Sequence, residues 1–105
     1  MLRRVAPPES ERMYAGEVEI DRPTRRVTVA EQRVLLPTKE YELLLKLASD
    51  PRRVFTKDEL LRDVWGFRST GRTRTLDSHA SRLRRRLGGD YVRNVWGVGY
   101  CLLGD

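Results

Sequence analysis

The stretch from Thr73 to Leu87, TRTLDSHASRLRRRL, constrains the fold more than any other part of the chain. At 100° per residue Leu76, Ala80, Leu83 and Leu87 fall on a stripe about 60° wide, the signature of an α-helix packed on a core. The opposite side holds Arg74, Ser78, Ser81, Arg82 and Arg85 and no acidic residue. A solvated helix face ordinarily mixes both signs of charge. Short hydroxyls beside unopposed guanidiniums suit a polyanion instead, and the major groove of double-stranded DNA is the foremost candidate.

The charge balance sharpens this reading. The chain has 105 residues and a formal net charge of +6. Between Arg68 and Arg93 lie eight basic residues (Arg68, Arg72, Arg74, Arg82, Arg84, Arg85, Arg86 and Arg93), opposed only by Asp77 and Asp90. Outside that interval basic and acidic residues are equal in number, so the whole excess surrounds one helix. The excess of arginine over lysine carries less weight, since codon bias alone can produce it.

Several classes are set aside. No apolar run approaches the ~18 residues of a membrane-spanning helix, and no signal-like segment opens the chain, so no membrane partner is expected and a cytoplasmic, nucleoid-associated location is. One cysteine, Cys101, excludes an internal disulfide, and one histidine, His79, leaves too few ligands for a metal site. There is no Gly-rich phosphate loop, carboxylate pair or Ser/His/Asp arrangement, so neither an enzyme nor a cofactor is expected.

Residues 1–13 contain a Pro pair and no periodicity and read as a flexible tail or linker, leaving 14–105 as one domain. Three β-like runs follow, Tyr14 to Asp21, Arg25 to Val29 and Gln32 to Leu36, consistent with an antiparallel meander. Thr38 to Ser49 is a helix with its stripe on Tyr41, Leu44, Leu45 and Ala48, widened by Leu47, and with Glu40 and Glu42 favourably placed in its first turn. A second helix opens on Thr56 as N-cap, with Glu59 completing a capping box and Phe55 and Leu60 forming a staple. Its apolar face is Leu60, Leu61, Val64 and Trp65, and Gly66 suits its end. After the 73–87 helix, strands from Tyr91 to Trp96 and Gly99 to Leu103 form a hairpin. Gly97 and Gly99 are expected to supply its positive φ angles.

Four motifs in this order resemble the C-terminal effector domain of OmpR/PhoB-type response regulators. They are LPTKEYELLLKL (Leu36 to Leu47), RVFTKDELLRDVWG (Arg53 to Gly66), RTLDSHASRLRRRL (Arg74 to Leu87) and VWGVGY (Val95 to Tyr100). The resemblance implies an α+β winged helix-turn-helix: an N-terminal antiparallel sheet, three helices and a C-terminal β-hairpin wing. It implies a sequence-specific, double-stranded DNA-binding transcriptional regulator, with helix 73–87 in the major groove and wing 91–103 near the minor groove. Arg74, Ser78, Ser81, Arg82 and Arg85 would face the major groove, Arg82 matching the family's basic residue there. Thr56, Lys57, Arg68, Arg72, Thr73, Arg84, Arg93, Asn94 and Trp96 would supply phosphate or wing contacts, Thr56 and Lys57 through backbone N–H groups. The resemblance further implies RNA polymerase contact through loop 67–72, a homodimer on direct repeats, and orienting or packing roles for Asp77 and His79. A receiver domain, at roughly 120 residues, would exceed this whole chain.

The sequence departs from the family where Trp96 replaces the wing arginine, Asn94 replaces a threonine, and Ser78 and Ser81 stand where bulkier or basic side chains are common. Arg93 offers a neighbouring cation. Trp65, Tyr100 and Cys101 read as core. Trp96 is open between packing on the third helix and lying on the sugar-phosphate backbone. Two other functions compete: non-specific architectural DNA binding, if the serines remove base readout, and a winged helix that docks on RNA polymerase or another regulator.

Overall fold

Alternating apolar residues and tight turns build the N-terminal sheet, four antiparallel strands in the order β1-β2-β3-β4. They are β1 (Arg12–Ala15), β2 (Val18–Asp21), β3 (Arg26–Val29) and β4 (Gln32–Val34). The structure, a computed structural model, describes residues 12–66, 73–88 and 91–102. Ala15, Val18, Ile20 and Val27 point into the core, as period-two patterning requires. The run expected from Tyr14 to Asp21 is two strands: Gly16, at φ 60°, reverses the chain and pairs Ala15 with Val18. Strand β1 also takes in Arg12 and Met13, the last two residues of the expected tail, whose other residues, 1–11, lie outside the described ones.

Helix α1 (Thr38–Ala48) rests on this sheet, and the Arg25 guanidinium lies 4.7 Å from the centre of the Tyr41 ring. Its buried side chains are Glu40, Tyr41, Leu43, Leu44, Leu47 and Ala48. Leu43 therefore replaces the expected Leu45, which is only partly buried. Strand β5 (Phe55–Thr56) leads into α2 (Lys57–Leu60), which widens into a π-helical turn over Leu61–Trp65 and ends at Gly66 with φ 75°. The expected capping box is present: Glu59 N–H donates to Thr56 Oγ1 at 3.1 Å, and Thr56 N–H to Glu59 Oε1 at 2.9 Å. Two lysines of α1 hold the widened turn: Lys39 Nζ donates to Val64 O at 2.9 Å, and Lys46 Nζ pairs with Asp63 at 3.0 Å.

Helix α3 (Thr73–Leu87) buries Leu76, Ala80, Leu83 and Leu87, the stripe read from the sequence. These pack with Leu43, Leu44, Leu47, Leu60, Leu61 and Phe55 into one core. Strands β6 (Arg93–Val95) and β7 (Gly99–Cys101) form the C-terminal hairpin. β6 is shorter at each end than expected, whereas β7 begins at Gly99 as expected and ends at Cys101, the expected last residue, Leu103, lying outside the described ones. β5 adds to it, giving a three-stranded sheet in the order β5-β7-β6.

That third strand corrects the reading of Gly99. Gly97 has φ 76°, as its turn requires, whereas Gly99 is not at positive φ. A Cβ on Gly99 would stand 1.8 Å from the Phe55 carbonyl oxygen, so glycine is needed there for close backbone approach. Among the described residues, no helix is long and apolar enough to cross a membrane.

Candidate nucleic-acid interface

Because the apolar stripe of α3 is consumed by the core, the rest of the helix is presented outward. Arg74, Ser78, Ser81, Arg82, Arg84, Arg85 and Arg86 are all exposed. Arg74, Ser78, Ser81, Arg82 and Arg85, named from the sequence for the major groove, line one shallow depression together with Thr73 and Asp77. The helix brings all five together on one side, where Asp77 is the one acid among the described lining residues.

Asp77 is engaged from two directions. Its Oδ1 accepts a hydrogen bond from the Tyr100 hydroxyl at 2.6 Å and lies 3.2 Å from Lys57 Nζ. Burial, and then the hydrogen bond to Asp77, push the Tyr100 phenol well above its ordinary range, so it stays a donor. One carboxylate thus fastens α3 to the start of α2 and to β7, which fixes the helix against the hairpin. His79 has the packed, bonded role expected of it: Nδ1 donates to Thr75 O at 2.8 Å, and the ring meets Trp65 edge-on at 5.1 Å.

Arg84 lies on the same flank of α3 as Asp77. With Ser81 it lines a second depression that runs to Lys57, Asn94 and Trp96. The hairpin and the outer face of α3 therefore form one continuous surface. Trp96 is 89% exposed, so its ring is not buried against α3. Arg93 and Asn94 are exposed on β6.

Two expectations change in detail. The backbone N–H groups at the start of α2, expected to grip phosphate, are largely used within the protein. Those of Thr56 and Glu59 serve the capping box, and that of Lys57 donates to Val98 O at 3.3 Å. Arg86, exposed in part, is not a spare cation, because its Nε donates to Glu40 Oε1 at 2.6 Å. Arg68, Arg72 and the loop 67–72 lie outside the described residues.

Sequence reasoning missed the Glu40–Arg86 pair. A signal was there: Glu40 precedes Leu43, Leu44 and Leu47 by three, four and seven residues, which places an acid on the buried stripe.

Residues 31–102 match the family described as "Transcriptional regulatory protein, C terminal". The transcriptional regulatory protein SrrA of Staphylococcus aureus is 43% identical over 89 residues, covering 79% of this chain and 37% of SrrA. The chain thus spans little more than a third of that relative's length. The DNA-binding domain of Klebsiella pneumoniae RstA, in complex with the RstA box, superimposes with a TM-score of 0.81 at 26% identity, covering 89% of this chain and 97% of that one. The DNA-binding domain of the response regulator AdeR, in complex with an intercistronic region, superimposes with a TM-score of 0.78 at 32% identity, covering 89% and 99%.

Proposed function

The chain belongs to the transcriptional regulatory protein C-terminal family, the OmpR/PhoB-type winged-helix DNA-binding domain of response regulators, and we propose that it binds double-stranded DNA sequence-specifically to regulate transcription. The observation that carries the finer reading is the outer face of α3, where Arg74, Ser78, Ser81, Arg82 and Arg85 gather in one open depression. In that reading α3 lies in the major groove. Arg74 and Arg82 make bidentate contacts to guanine, each discriminating by about 1–3 kcal/mol, and the serines specify weakly because a hydroxyl bonds any base edge or phosphate. Arg85 faces the major groove with them, Arg84 and Arg93 take phosphates, and the hairpin reaches the adjacent minor groove.

The partner proposals inherited from the family complete the reading: RNA polymerase through residues 67–72, a second copy on direct repeats, and a cytoplasmic, nucleoid-associated location. The two superimposing domains whose structures include DNA-site partners support it by likeness of fold.

Selection of bound sequences from a random duplex library tests specificity, site length and half-site spacing together. The expected outcome is a defined site, bound with a log K versus log[salt] slope of roughly −4 to −7. Arg82→Ala is expected to cost about 1–3 kcal/mol on that site and to relax its discrimination. Equal affinity for every duplex would replace this reading by architectural binding. Docking on polymerase that survives Arg82→Glu with Arg85→Glu would replace it by the protein-interaction reading.

A further inference from the structure

The tip of the hairpin carries Trp96, Gly97 and Val98, three residues without charge beside the most basic part of the chain. Trp96 is 89% exposed and Val98 46%. The tip is nonetheless well anchored. Val98 N–H donates to Val95 O at 3.0 Å, Lys57 N–H donates to Val98 O at 3.3 Å, and Gly99 pairs with Thr56. The three-stranded sheet therefore fixes the backbone from which the exposed indole projects. Trp96 also lines the depression it shares with Ser81, Arg84 and Asn94, so a polyanion seated along α3 meets the indole next.

An indole is a poor surface residue and a good stacking one. Its apolar body gains by leaving water, and its ring face packs on sugars and bases whatever the sequence. Proteins that engage the minor groove commonly insert apolar side chains at base steps and bend the duplex there. We propose that Trp96, backed by Val98, is an apolar wedge by which the hairpin engages the minor groove beside the site read by α3. The proposal rests on the DNA-binding reading above and adds the chemistry of the second contact. An uncharged tip displaces no counterions, so its share of affinity is the same at every salt concentration.

The test uses the full chain and the tightest duplex recovered from the random-library selection. Trp96→Ala is expected to weaken binding on the order of 10-fold at every salt concentration, with an unchanged salt slope. It should also reduce duplex bending, measured by energy transfer between end labels. Trp96→Arg should steepen the slope by about one and regain affinity only at low salt. Circular dichroism should show both variants folded, since the side chain is solvent-exposed. Wild-type affinity and bending in Trp96→Ala would overturn the wedge while leaving steep, α3-dependent binding in place. Failure of the wild type to bind any duplex at low salt would instead remove the DNA-binding reading, and the wedge with it.

Discussion

Arg86 Nε donates to Glu40 Oε1 across 2.6 Å, joining the last turn of α3 to the first turn of α1. The Glu40 side chain is 2% exposed and that of Arg86 43%, so the acid is sunk in the core and the base closes over it. The three consecutive arginines 84–86 thus divide by function. Arg86 holds the helix, whereas Arg84 and Arg85 have no acidic partner among the ion pairs of the described residues and face outward.

Removing Arg86 leaves a buried carboxylate without its partner. Breaking a fully buried pair costs about 3–5 kcal/mol, and the half-exposed guanidinium lowers the expectation for Arg86→Ala to about 2–3 kcal/mol. Arg85→Ala should change stability by less than about 0.5 kcal/mol while weakening DNA binding. Urea unfolding of both variants, alongside duplex titration, checks this crossed pattern. Equal stability of the two would contradict the structural role of Arg86.

Tyr100 makes the stability of the domain depend on pH at the alkaline end. Its phenol is neutral in the fold and held there by burial and the hydrogen bond to Asp77, with a pKa above the ordinary 10.0. Above about pH 10 the unfolded chain releases this proton and the folded chain does not, so the stabilisation is complete below that pH and declines as pH rises through it. Tyr100→Phe removes this contribution to the decline. Unfolding free energies measured from about pH 8 to about pH 11 should therefore fall more steeply for the wild type than for the variant.

The two hairpin glycines should respond differently to alanine. At Gly97 a Cβ meets nothing within 4 Å, and the cost is the positive φ alone, about 1–2 kcal/mol. At Gly99 the added atom meets the Phe55 carbonyl at 1.8 Å, so β5 and β7 must separate, at a cost of about 3 kcal/mol or more. Thermal unfolding of Gly97→Ala and Gly99→Ala measures the gap, and the reverse ranking would refute the close-approach explanation.

The β3–β4 connection offers a route to stabilisation. Ala30 and Glu31 form a two-residue loop with φ 51° and 69°, a conformation for which Asn-Gly is far better suited. Ala30→Asn with Glu31→Gly should raise stability by about 1–2 kcal/mol with DNA binding unchanged, because the loop belongs to the N-terminal sheet. A rise in melting temperature, read beside an unaltered duplex titration, would verify it.

Much of this domain is legible in the sequence because the relevant signals are local. The burial of Leu76, Ala80, Leu83 and Leu87 follows from the helical period, and the same period turns Arg74, Ser78, Ser81, Arg82 and Arg85 outward together. Thr56 and Glu59 are three residues apart, so their capping box is written in the spacing. What tertiary structure alone decided lies between residues distant in the chain. Glu40 and Arg86 meet because α1 and α3 pack at one particular register. Gly99 is needed because β5 comes to lie beside β7, and Asp77 finds its partners because Lys57 and Tyr100 converge on it. Periodicity shows which face of an element is apolar but carries no information on which other element covers it. Trp96 marks the boundary between the two: its replacement of the family's wing arginine is visible in the sequence, whereas the exposure of its ring depends on how the three-stranded sheet holds the hairpin.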